Sequence, residues 1–225
     1  MDVNNTLSLV VIGFELNSLE RFKESLRNKS FFKDKNFMQG REGLLPTPIG
    51  MPKVAVSYQI KNDKFLTIEY NLIEKKLTIV QNNYRENDLN QDAEIFDILK
   101  SLLTMAPSAS ISAFGINYST DVIQEKKLCL FNPSIEEKLG QDYWDSNIGF
   151  NTELAFKSTD YITVYRIFKN EELSKKEGSR YYSFNCNFDF QLNIDDKAQK
   201  ILDIFKNNNQ YYDRYKQQRE NILEL

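Results

Sequence analysis

The sequence predicts an α+β fold of two similar halves, each an antiparallel β-meander sheet with helices packed on one face. Three observations carry that expectation. Apolar–polar alternation runs through 54–60, 66–72 and 182–192, the two-residue period of half-buried strands. Amphipathic segments with helical spacing follow such strands at Glu94–Leu102 (EIFDILKSL) and Lys200–Asn208 (KILDIFKNN). The two segments also echo each other, with Ile95, Asp97, Ile98 and Lys100 set against Ile201, Asp203, Ile204 and Lys206.

The elements follow in order. Thr6 to Leu16 is apolar on both faces: Val10, Ile12, Phe14 and Leu16 point one way, and Leu7, Leu9 and Val11 the other. Such a strand is expected at the centre of a sheet or covered on both sides. Asn17 or Ser18 caps a helix whose apolar face is Leu19, Phe22 and Leu26. Residues 31–52 hold Pro46, Pro48, Pro52, Gly40, Gly43 and Gly50, and this punctuation reads as one long loop. Three strands then form a meander through Val54–Ile60, Leu66–Leu72 and Leu77–Ile79. The first echo helix follows and ends at Pro107.

The second half repeats the order. Ser110–Ser119 reads as a strand, with Phe114-Gly115-Ile116 laid over Ile12-Gly13-Phe14. A variable stretch spans 124–144. A second meander uses 150–156, 161–168 and 182–192, where Tyr161-Ile162-Thr163-Val164 echoes Phe65-Leu66-Thr67-Ile68. In its last strand Phe184, Cys186, Phe188, Phe190 and Leu192 share one face, and Asn185, Asn187 and Asp189 the other. Asn193 or Asp195 caps a final helix that runs on past Asn209 with Tyr212, Tyr215 and Ile222. The halves divide at 1–107 and 108–225 and are expected to form one compact unit.

Composition narrows the function classes. The chain has 225 residues, 16 Phe, 12 Tyr and a formal net charge of −3. That supports a sizeable core and does not favour a nucleic-acid or membrane partner. The apolar run Leu7–Ile12 is short and follows Asp2, unlike a secretory leader. With two cysteines, Cys129 and Cys186, a cytoplasmic protein is the expectation. There is no histidine, which removes Ser–His and Cys–His nucleophile pairs and the commonest metal ligand. No catalytic residue, cofactor or metal site is identified.

Candidate contact residues are few. Arg41 and Glu42 sit between glycines in Gln39–Gly43, where Arg41 could fork onto an anion. A surface or partner-contacting loop is the plainer reading. Tyr212, Arg214 and Tyr215 lie in a tail that interleaves aromatic and basic residues, as single-strand binders do. Asp213 and Glu220 dilute its charge, and Tyr212 with Tyr215 equally fits a helix face packed on its own sheet. Cys186 reads as core filler. Asp195-Asp196 and Glu136-Glu137 suit helix starts.

Phe114-Gly115-Ile116-Asn117-Tyr118, and Phe188-Asp189-Phe190 leading into Ile201-Leu202-Asp203-Ile204-Phe205, resemble the layout of a sporadically distributed, uncharacterised family of bacterial proteins. The family's final helix carries a histidine-containing segment that this chain lacks, and it supplies no functional residue to carry over. The resemblance implies a cytosolic bacterial protein, an accessory or defence-associated gene product.

The expected function is a non-catalytic protein-binding or assembly module, with a protein partner or a homodimer and no membrane. Its contact surfaces would be residues 39–52 and the terminal helix. A ligand- or nucleic-acid-binding regulator is the alternative, with a carboxylate–magnesium nuclease behind it.

Overall fold

The computed structural model describes residues 2–27, 38–46, 52–60, 64–84, 94–124, 151–170 and 180–223. Nine strands are present among them: β1 (Asp2–Ile12), β2 (Met38–Pro46), β3 (Pro52–Ile60), β4 (Lys64–Asn71), β5 (Lys76–Asn82), β6 (Ala113–Gln124), β7 (Asn151–Lys157), β8 (Ile162–Asn170) and β9 (Arg180–Gln191). The helices are α1 (Leu19–Arg27), α2 (Glu94–Leu103), α3 (Lys197–Lys206) and α4 (Asn208–Leu223), with a single 3₁₀ turn at Ser108–Ser110.

All nine strands belong to one antiparallel sheet, in the order β2-β3-β4-β5-β1-β6-β9-β8-β7. The strands of 1–107 and 108–225 meet edge to edge: β1 and β6 pair directly, with Leu9 opposite Ile116 and Leu7 opposite Tyr118. The doubly apolar β1 lies in the middle of the sheet, as its sequence requires.

Register lines the core up in rows. Ile68, Ile79, Leu9, Ile116, Phe188 and Thr163 run side by side from β4 to β8. The next row places Leu66, Gln81, Leu7, Tyr118, Cys186 and Tyr165 together. Every residue of both rows is buried. The helices close over this face. Phe22 of α1 and Phe14 pack on Tyr70 of β4. Phe96 of α2 stacks on Phe205 of α3 at 5.5 Å. Tyr215 of α4 stacks on Tyr118 at 5.4 Å and 17°.

Burial agrees along the two echo helices. Ile95, Ile98, Leu99 and Leu102 are buried, as are Ile201, Ile204, Phe205 and Asn208, while Lys100 and Lys206 are exposed. The strand overlays do not keep their faces. Ile12 is 42 % exposed and points away from the helices, whereas Phe114 is fully buried. Leu66 is buried, whereas Ile162 is 40 % exposed. Side chains alternate along a strand, so the second overlay is out of phase by one residue, whereas in the first Phe14 and Ile116 are both fully buried and only Ile12 and Phe114 differ, with Gly13 at positive φ between Ile12 and Phe14. The two glycines differ as well. Gly13 ends β1 at φ +76°, and a Cβ there would stand 2.3 Å from the Ser110 carbonyl oxygen. Gly115 lies within β6.

One expected cap holds and two boundaries moved. Ser18 caps α1, accepting from the Arg21 amide at 3.3 Å. Asp196, and not Asn193 or Asp195, caps α3, accepting from the Gln199 amide at 3.0 Å. The final helix is two helices: Asn207 ends α3 and Asn208 begins α4. Three successive asparagines, poor helix formers, stand at that corner. The Tyr118 hydroxyl donates to the Asn208 side-chain carbonyl from the middle of β6, which ties the corner to the sheet. Residues 125–150, with Cys129, Glu136-Glu137 and Trp144, lie outside the described residues.

Candidate interaction surfaces

The sequence-selected residues do not form one site. Arg41 and Glu42 belong to β2, at one end of the strand order. The long-loop reading of 31–52 is corrected there: 38–46 pairs with β3, and the register shifts between Gln39 and Glu42. Gly40 and Gly43 flank that irregularity, as glycines at strand bulges often do. Helix α4 packs on β9, which lies two strands from β1 on the side away from β2.

 In plain terms, β2 and α4 serve opposite halves of the sheet, so Arg41 and Glu42 stand apart from Tyr212, Arg214 and Tyr215.

The three α4 residues divide among themselves. Tyr215 is 1 % exposed and belongs to the core. Tyr212 is half-buried and meets Tyr84 edge-on at 5.8 Å. Burial pushes the hydroxyls of Tyr84, Tyr118 and Tyr215 far above the ordinary tyrosine range. These rings pack on one another and on the sheet, as a helix face packed on its own sheet does. Arg214 alone stays at the surface. It donates to the Tyr161 hydroxyl, and its guanidinium lies 5.9 Å from that ring's centre. Cys186 is fully buried, and desolvation pushes its thiol up to about 12.

The side of the sheet away from the helices has a different chemistry. Its central row is Thr67, Val80, Ser8, Asn117, Asn187 and Val164. The next is Glu69, Thr78, Val10, Gly115, Asp189 and Ile162. All of these except the buried Gly115 and the exposed Ile162 are half-buried. No described helix packs on them. Side chains tie neighbouring strands together instead. The Thr6 hydroxyl donates to the Asn82 side-chain oxygen at 3.3 Å, and both Asn4 and Ser183 donate to Asp121. Towards Ser183 and Tyr181 the face closes, and both of these are buried.

Apolar residues gather on this side too. Of the exposed large apolar side chains Ile12, Ile73, Ile162, Phe168 and Ile194, the register puts Ile12, Ile162 and Phe168 on the helix-free face. Val164 lies between Ile162 and Phe168 on β8, and the half-buried Val10 of β1 and Val80 of β5 are on the same face. The β1 pattern carried this signal in Val10 and Ile12, and Asn185, Asn187 and Asp189 were legible as the outer side of β9. Ile162 and Phe168 were missed, because their face depends on the register of β8 against β9.

Among the described residues, no three Cys, Asp or Glu side chains are grouped to hold a metal ion. No described helix is long and apolar enough to cross a membrane. No protein-family model, curated protein or solved structure matches the chain.

Proposed function

We propose that this protein is a non-catalytic assembly module that pairs with a second copy of itself through the helix-free face of its sheet. The observation that carries the reading is that Ile12, Ile162 and Phe168, each at least 37 % exposed, all lie on that one face, spread across β1 and β8. Isolated exposed apolar residues are ordinary, but a group on one uncovered surface marks an interaction site. The centre of the face, from Val80 through Ser8 and Asn117 to Asn187, carries no charge. Two copies can therefore meet there without like-charge repulsion. Strands spaced by ~4.8 Å, nine abreast and about seven residues deep, give a face of roughly 900 Å². A stable interface takes about 800 Å² from each partner.

A duplicated build suits this reading. Outward from β1 the strands run β5, β4, β3, and outward from β6 they run β9, β8, β7. With the matched burial of α2 and α3, this order supports reading 1–107 and 108–225 as two related halves. Their approximate two-fold axis would pass between β1 and β6, where the axis of a symmetric dimer could coincide with it. A cytosolic setting within a bacterial defence system is part of the same proposal.

Native mass spectrometry of the purified protein, without added ligand, tests it. A dimer at micromolar concentration is the expected result. A bare monomer, or a complex with a different protein and no dimer, would overturn self-assembly.

A further inference from the structure

The helix side of β8 carries a small pocket beside α4. Thr163 and Tyr165 pair with Phe188 and Cys186, which sets them on that side of the sheet. Tyr161, two residues before Thr163, packs there on Phe188 and Phe190. Arg214 and Gln218 stand one turn apart on α4. Ser158 follows β7 in the turn to β8, its amide donating to the Tyr161 carbonyl at 2.8 Å. Together these residues line a space of ≈ 80 Å³. A water needs about 10–15 Å³, so the pocket has room for a group of roughly five heavy atoms. Lys157 borders it as well, but it pairs with the exposed Ile162, and register directs its side chain to the helix-free side.

The lining is rich in hydrogen-bond donors and carries positive charge. Arg214 donates to the Tyr161 hydroxyl and lies over that ring. No described carboxylate pairs with it, so most of its guanidinium fork is left for another partner. Because the Tyr161 hydroxyl accepts from Arg214, its own proton is left to donate, and the guanidinium polarises it. Thr163 is 3 % exposed, yet its hydroxyl bonds to no described residue. Buried polar groups are nearly always satisfied, and leaving one unpaired costs free energy. Ser158 and Gln218 add a hydroxyl and an amide. No described carboxylate lines the pocket: Asp160 and Asp213 are the acids nearest along the chain, and both are exposed and outside the lining.

We propose that this pocket binds a tetrahedral oxyanion, phosphate or sulfate, free or at the end of a small ester. Arg214 supplies the charge and a planar fork. The hydroxyls of Ser158, Tyr161 and Thr163 and the Gln218 amide supply neutral donors around it. Together they offer more donors than the about four lone-pair sites of a carboxylate take up, and they suit an anion with three or four oxygens. A cation would meet Arg214 and no carboxylate. The pocket opens on the helix side of the sheet, so the site stands apart from the face assigned to self-assembly.

Isothermal titration of the purified protein with sodium phosphate, sodium sulfate and phenyl phosphate tests the proposal, with sodium acetate as the carboxylate control. At least one of the three is expected to bind at millimolar concentration or below, and acetate at least about tenfold more weakly. Within that result, tighter binding of the free ions identifies an inorganic ligand, and tighter binding of phenyl phosphate an esterified one. Arg214→Gln is expected to weaken binding at least about tenfold, through loss of charge-assisted hydrogen bonds. Thr163→Val nearly keeps the side chain's shape and is expected to weaken binding about two- to tenfold. Without anion its melting temperature should be no lower than wild type's, because no hydrogen bond within the protein is lost. Lys100→Gln removes one charge from the exposed side of α2 and should leave the affinity unchanged. Near-ultraviolet circular dichroism checks that the variants keep their tertiary packing. Failure of all three anions to bind at millimolar concentration would overturn the assignment. So would acetate binding as tightly as they do, or an Arg214→Gln effect no larger than that of Lys100→Gln.

Discussion

Val10 and Val11 are neighbours on one strand and do different work. Val11 faces the helices, lies between Leu77 and Phe114, and is 1 % exposed. Val10 faces the other way, between Thr78 and Gly115, and is half-buried. The same division holds for the whole sheet. One side is a continuous apolar and aromatic core under four helices, and the other is a mixed Ser, Thr, Asn and Val surface with no described helix on it. Burial of the first side supplies the driving force for folding. The second contributes little to that core, so its residues are free to serve contact.

Substitutions can break or sharpen this contrast. The largest effect is expected at Tyr118. Its ring stacks on Tyr215 and its hydroxyl anchors Asn208, so Tyr118→Ala should cost about 3–5 kcal/mol, as large aromatic truncations do. Tyr118→Phe keeps the ring but leaves a buried Asn208 acceptor without this donor, at about 1–3 kcal/mol. Urea denaturation of the two variants separates ring from hydroxyl. Equal losses would show that packing contributes nothing beyond the hydrogen bond.

Gly13→Ala comes next. The position is at φ +76°, and the new Cβ would stand 2.3 Å from a backbone oxygen that cannot swing aside. A loss of about 1–3 kcal/mol is expected from backbone strain. Gly115→Ala is the control, because its closest neighbour is the Asn187 side-chain oxygen at 3.3 Å, which can rotate. A loss at Gly115 as large as that at Gly13 would contradict this account of the two glycines.

The smallest effect is expected at Asp189, and its sign is opposite. Burial raises the folded-state carboxyl above its ordinary 3.8. Folding thus favours the protonated form: that contribution is complete below pH 3.8 and is lost as pH rises through the raised folded value. Asp189→Asn should therefore raise the melting temperature at pH 7, and the gain should shrink as pH falls towards 3.8. Melting curves across that range check it.

Much of the covered side was legible in the sequence. The spacing of Ile95, Ile98, Leu99 and Leu102 marked α2, and the alternation from Phe184 to Leu192 marked β9, because burial imposes periodicity on local sequence. What was missed depends on distant or competing signals. Nothing local to Leu9 or Ile116 announces that β1 and β6 pair, so the joining of the halves into one sheet was not legible. Gly40, Gly43 and Pro46 made β2 look like a loop, since edge strands tolerate such punctuation. The break at Asn207 was hidden by the apolar stripe that continues through Tyr211 and Tyr215. On the helix-free side the individual residues were legible as outward-facing, but their assembly into one surface is a product of register.

The most direct test of self-assembly through that surface is sedimentation equilibrium on Val10→Arg beside wild type and Val11→Ala. Val11→Ala should lose about 1–3 kcal/mol of stability, as core truncations do, yet remain a dimer wherever it is folded. Val10→Arg should keep its fold by near-ultraviolet circular dichroism and sediment as a monomer at concentrations where wild type is a dimer, with a melting temperature lower only by what association adds. A Val10→Arg protein that dimerises as wild type does would contradict the assignment of the helix-free face as the place where two copies meet.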